Sequence, residues 1–217
     1  MNQDRVKIIN NPVICQSLCT MRDKNTDSQG VRIAARKITR VLLYEASKNL
    51  PLVDKEIETP VTKCSAKNID DDISIIISPI LRAGLIFTDE AIDILPDACI
   101  RHIGMYRDET TLKPVWYYNK VPMATPNPDK FYVYITDPML ATGNSMLEAI
   151  RLYAEKNIPI KNIKCICIIA APQGIELIQK EFPEIDIITA SVDERLNERG
   201  YIVPGMGDAG DRIFNTL

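Results

Sequence analysis

Short apolar runs rich in β-branched residues alternate along this chain with segments of helical periodicity. The runs are 73–77 (ISIII), 131–135 (FYVYI), 163–170 (IKCICIIA) and 185–190, and 99–105 is a further strand candidate. Apolar strands spaced this way predict an α/β fold with a mainly parallel, twisted sheet and helices on both faces. Between them, Val31, Ala34, Ala35, Ile38, Val41 and Leu42 form one helical stripe running to about Lys48. Further helices are predicted from Gly84 to Leu95, from Asn144 to about Lys156, and from Ile175 to Glu181. Ligands of such sheets bind at the carboxyl ends of the strands. Asp137 and Arg82 both fall in that zone.

The stretch 135–150, ITDPMLATGNSMLEAI, leaves a strand on a carboxylate, crosses small residues and enters a helix. The first amides of a helix are unpaired, and small residues let a phosphate approach them closely. Thr142 and Ser145 can add hydroxyl donors, while Asp137 can accept from sugar hydroxyls. Donors for phosphate beside an acceptor for a sugar fit a ribose 5-phosphate. The bland alternative is an ordinary strand-to-helix connection with a good cap. A P-loop is excluded because no Lys follows Gly143, and the dinucleotide pattern GxGxxG is absent.

The net charge is −3 and the pI about 5.3, which argues against a nucleic-acid surface. The start, MNQDRVKIINN, has no signal-like apolar stretch, and no run reaches the roughly 18 apolar residues of a membrane helix. A soluble, cytoplasmic protein with no membrane partner is expected. Cys165 and Cys167 lie two apart on one face of a strand, which reads as two small buried side chains rather than a metal pair. His102 is the sole histidine and has no supporting triad motif. Residues 106–121 are polar and aromatic and could form a protruding hairpin. Residues 196–210 carry four glycines and read as an extended loop.

The 135–150 stretch resembles the phosphoribosyl-diphosphate loop of phosphoribosyltransferases, and in its Asp-Pro-Met-Leu-Ala-Thr-Gly form it is similar to the uracil phosphoribosyltransferase family. Further matching stretches, in order along nearly the whole chain, are MRDKNT from Met21, LYEA from Leu43, PILRAGL from Pro79, GMYR from Gly104, AAP from Ala170 and YIVPGMGDAGDRIF from Tyr201. The resemblance implies one phosphoribosyltransferase domain over 1–217. Its core would span about 70–190, its hairpin about 104–123, and its base-binding hood about 191–217, packed with the N-terminal segment.

The implied reaction moves the 5-phosphoribosyl group from 5-phospho-α-D-ribose 1-diphosphate to N1 of uracil, giving uridine 5′-monophosphate and diphosphate. The transition state would resemble an oxocarbenium ion, so positioning and leaving-group charge stabilisation should dominate. The resemblance puts Arg82 and Arg107 on the diphosphate, with Asp137 and Asp208 as the other catalytic carboxylates. Pro138, Met139, Leu140, Ala141, Thr142, Gly143, Asn144 and Ser145 would complete the phosphoribosyl site. Ile202, Gly207, Asp208 and Ala209 would meet uracil, largely through main-chain groups. Mg2+ would be held by diphosphate and water near Asp208 rather than by a protein cage. Asn144 and Asn215 stand where the family usually has glycine, and both are read as keeping left-handed backbone angles. A homodimer or larger homo-oligomer is implied, and some relatives respond to GTP, although nothing in the chain locates an effector site. Two rival readings are a non-catalytic sensor or RNA-binding regulator on the same fold, and a transferase for another base.

Overall fold

The computed structural model describes residues 3–107, 114–122 and 125–216. The N-terminal part holds β1 (Val6–Ile8), α1 (Pro12–Arg22), α2 (Ser28–Ser47), β2 (Leu52–Glu58) and β3 (Lys63–Ile69). The central part holds β4 (Ser74–Leu81), α3 (Thr88–Ile94), β5 (Cys99–Ile100), β6 (Ile103–Arg107), β7 (Pro114–Asn119), β8 (Phe131–Thr136) and β9 (Met139–Leu140). Then follow α4 (Asn144–Ala154), β10 (Ile163–Ala170), α5 (Pro172–Glu181), β11 (Asp186–Val192), β12 (Arg195–Leu196), β13 (Ile202–Val203) and α6 (Ala209–Phe214).

Among the described residues the main sheet has nine strands, ordered β1-β11-β10-β8-β4-β6-β7, with β5 beside β4 and β9 beside β10. All its pairings are parallel except β6 with β7. Every residue of β10 is buried, as a strand covered on both faces requires. Its alternate side chains feed two cores. Ile166 and Ile168 meet Leu42 of α2, Ala91 of α3 and Ile213 of α6 in one cluster. Cys165 and Cys167 join Ile150 of α4 and Ile178 of α5 in the other. The cysteine pair is therefore packing material: burial pushes both thiols up, Cys167 to about 12.

The long helix forms where the stripe predicts. Asp27 caps it by accepting the Gly30 N–H at 2.7 Å, and Val31, Ala34, Ala35, Ile38 and Leu42 are buried.

Several expectations need correction. The strand at 73–77 starts at Ser74 and continues through Pro79 to Leu81. The 84–95 helix opens as a 3₁₀ turn, Ala83–Phe87, before α3 begins. The 99–105 strand is two strands, β5 and β6, interrupted at Arg101 and His102. The 196–210 tail is not an unbroken loop, because β12 and β13 pair antiparallel and α6 begins at Ala209. The 106–121 hairpin exists as β6 and β7, while 108–113, 123 and 124 lie outside the described residues. A second antiparallel hairpin, β2–β3, had no clear periodic signal. All seven residues of β2 are exposed.

Candidate active site

The β8 strand ends at Thr136, and the chain then runs over the carboxyl edge of the sheet. Its backbone is stitched to β10. The Asp137 N–H donates to Ile166 O at 3.1 Å, Pro138 O accepts from Ile168 and Ile169 at 3.0 Å, and Leu140 O accepts from Ala171 at 2.8 Å. Gly143 then turns into α4 with φ 85°. A side chain there would be strained, and its Cβ would lie 2.8 Å from Gly174 O. Reciprocally, a Cβ on Gly174 would lie 2.5 Å from Ala141 O. Two glycines thus let the loop rest on the start of α5.

The result is a mouth lined by main chain. Gly143 has no side chain to cap the first-turn amides of α4, which Asn144, Ser145 and Met146 supply. The hydroxyls of Thr142 and Ser145, both half-buried, have no hydrogen-bond partner among the described residues. Asn144 corrects an expectation. It sits in right-handed helical backbone as the first residue of α4, so it does not replace glycine by adopting a left-handed angle. Asn215 does adopt that angle, with φ 58° at the end of α6.

Asp137 sits beside the mouth. Burial pushes its carboxyl up to about 7, with the negative charge of Asp208 adding, against a 3.2 Å hydrogen bond from the Met139 N–H. Asp208 caps α6 by accepting the Asp211 N–H on Oδ1 at 2.9 Å. Arg82 follows the cis Leu81–Arg82 peptide, and its Nη2 pairs with Asp211 Oδ1 at 3.1 Å. A Cβ on Gly210 would lie 3.3 Å from Asp208 Oδ1 and 3.7 Å from Arg82 Nη2. Arg82, Asp137 and Asp208, far apart in sequence, therefore meet at one edge. The backbone of Arg107 ends β6, but its side chain lies outside the described residues.

The segment bearing Ile202, Gly207 and Ala209 folds over this edge. Gly205, at φ 56°, lets the chain turn so tightly that a Cβ would lie 2.2 Å from Ile202 O. Gly207, at φ 80°, is exposed, and a Cβ there would make only an ordinary contact with Arg212 Cδ at 3.8 Å. Two arginines without an assigned role in the sequence reading fasten this hood. Arg22 donates to both Asp193 oxygens at 2.6 Å and to Gly205 O at 2.8 Å. Arg212 donates to Met206 O at 2.8 Å, to Asp23 O at 2.6 Å and to Met21 O. Burial alone would raise the Asp193 carboxyl, but bonds from Arg22, Ser191 and the Gly205 N–H hold it below the usual range. Arg22 and Asp193 lie 171 residues apart, so no spacing pattern could reveal them.

Among the described residues no three His, Cys, Asp or Glu side chains gather as a metal cage. Asp208 is exposed, and its Oδ1 alone is used as a cap. That donor set suits a cation carried by a ligand's own oxygens and water.

A doubly covered parallel sheet whose strand-end loop presents amides, beside carboxylates and an arginine, defines the phosphoribosyltransferase fold. Adenine phosphoribosyltransferase from Trypanosoma brucei shares that fold at 11% identity, with a TM-score of 0.56 over 87% of this chain and 84% of that one. The family model described as uracil phosphoribosyltransferase matches residues 8–216, and the chain belongs to that family. Uracil phosphoribosyltransferase of Dictyoglomus thermophilum is 47% identical over 212 residues, covering 97% of this chain and 99% of that protein. The Ureaplasma urealyticum protein of the same name is 48% identical over 210 residues, with 97% and 99% covered. A solved protein from Aquifex aeolicus is 36% identical and superposes with a TM-score of 0.87 over 96% of this chain and 97% of its own.

Proposed function

We propose that the protein transfers the 5-phosphoribosyl group of phosphoribosyl diphosphate to N1 of uracil, releasing diphosphate. The observation that carries this is the meeting of Arg82, Asp137 and Asp208 beside the first-turn amides of α4, which no N-cap side chain covers, in a chain of this family. In this reading the 5-phosphate lies on the amides of 141–145, with the Thr142 and Ser145 hydroxyls donating to it. Asp137 accepts from the ribose hydroxyls. Arg82, whose forked guanidinium suits phosphate oxygens, stabilises charge on the departing diphosphate, helped by Arg107. Fixed main-chain donors and acceptors around Ile202, Gly207 and Ala209 read the polar edge of uracil. Cytosine reverses that edge, leaving buried groups unpaired at about 1–3 kcal/mol each. Mg2+ bound to diphosphate near Asp208 would neutralise leaving-group charge.

Incubation with uracil, phosphoribosyl diphosphate and Mg2+ should yield uridine 5′-monophosphate, with hypoxanthine, guanine and orotate failing to compete. Binding of both substrates without turnover would favour the sensor reading. We also propose a homodimer or larger assembly in the cytoplasm. Its support is the β2–β3 hairpin, which leaves Leu52, Val53 and Ile57 exposed on a two-stranded arm that would be marginal alone. Light scattering reporting a monomer would remove that part. A nucleotide effector such as GTP is best sought by measuring rates with and without it.

A further inference from the structure

Pro79 lies inside the sheet, where a proline removes a ladder hydrogen bond. The register of β4 is uniform: Ile77 opposes Ile100 and Ile80 opposes Ile103. Ser78 therefore faces Arg101, whose N–H donates to Ile77 O at 2.8 Å. In a parallel ladder the N–H of residue 79 would next meet the Arg101 carbonyl. Proline has no N–H to give. Ser78 Oγ takes its place, donating to Arg101 O at 2.9 Å. The Tyr153 hydroxyl in turn donates to Ser78 Oγ at 2.9 Å. Both side chains are fully buried. Burial pushes the phenol above its ordinary value, against the hydrogen bond with Ser78 and the nearby Arg101 charge, so it remains a donor at any working pH.

This short chain of hydrogen bonds joins three elements of the site. The β4 strand ends one residue before Arg82. Arg101 precedes β6, which leads to Arg107. Tyr153 is on α4, a rod of 11 residues whose other end forms the phosphate mouth. We propose that Tyr153 and Ser78 are positioning residues. Their hydrogen bonds fix the spacing between the diphosphate-side strands and the helix that holds the 5-phosphate. The inference rests on the phosphoribosyl-transfer reading above.

The test uses steady-state kinetics with each substrate varied separately, alongside thermal unfolding. Tyr153→Phe keeps the ring and deletes the donor, Ser78→Ala deletes the relay, and Ser78→Thr keeps a hydroxyl. Tyr153→Phe and Ser78→Ala should each raise KM for phosphoribosyl diphosphate about three- to tenfold, with KM for uracil within about twofold of wild type. The double variant should be no worse than the worse single one, since both cut one chain. Ser78→Thr should restore near-normal values. The proposal is overturned if neither variant changes KM for phosphoribosyl diphosphate or kcat, even with a lowered Tm. It is equally overturned if both KM values rise in parallel with lost Tm. Should Ser78→Ala fail to fold, the near-isosteric Tyr153→Phe decides alone. A wild-type protein that makes no uridine 5′-monophosphate would instead sink the functional reading first.

Discussion

Asp137 carries the clearest pH signature. Its carboxyl titrates near 3.8 in an unfolded chain and at about 7 in the folded protein. Between those values the folded state holds a proton that the unfolded state has lost. Stability therefore falls as pH climbs through this window, and the penalty is fully present above 7. Asp137→Asn should raise the Tm of the ligand-free protein at pH 8 and leave it nearly unchanged at pH 4, while activity drops about a hundredfold. KM for phosphoribosyl diphosphate should rise as pH falls below 7, because the ionised carboxylate is the better acceptor for ribose hydroxyls. Asn144 gives a second test. With helical backbone already in place, Asn144→Gly should keep turnover within about tenfold, or ~1.4 kcal/mol. A loss of several hundredfold would show that the side chain touches the ligand. The sequence marked both residues through their place after a strand. It could not reveal Asn144's backbone angle, because asparagine is at home in both left-handed turns and first helical turns.

At the scale of elements, legibility followed periodicity. The fully buried β10 and the striped α2 read directly, since their side chains answer to covered faces. The β2–β3 hairpin was harder to read: β2 is exposed throughout, and β3 is part-buried only at alternate small or polar residues until Ile69 reaches the core. The break between β5 and β6 was equally hidden, because it comes from Pro79 on the neighbouring strand rather than from Arg101 or His102. The contact between the 137–143 loop and α5 yields a sharp prediction. Gly174→Ala would drive a methyl into Ala141 O, and the backbone must give way. We expect a loss of about 1–3 kcal/mol in urea unfolding, with KM for phosphoribosyl diphosphate rising more than KM for uracil. Equal effects on both substrates would show that the loop tolerates the shift.

For the molecule as a whole, the hood is tied to the opposite end of the chain. Asp193 is almost wholly enclosed and neutralises Arg22, so Asp193→Ala would strand a largely buried cation. We expect a loss of roughly 3–5 kcal/mol in chemical unfolding, with KM for uracil rising because Gly205 and its neighbours lose their anchor. An unchanged KM for uracil would separate the bracket from base recognition. The pairing of β1 with β11 has a consequence during biosynthesis. Residues 6–8 find their sheet neighbour only at 187–189. Arg22 must likewise wait for Asp193, and Met21 for Arg212. Residues 6–8 of the nascent chain therefore lack their sheet neighbour until residues 187–189 have emerged. Cotranslational assembly can begin with the central βα units, but the edge strand and the segment around Gly205 can be fastened only after residues 187–212 have emerged.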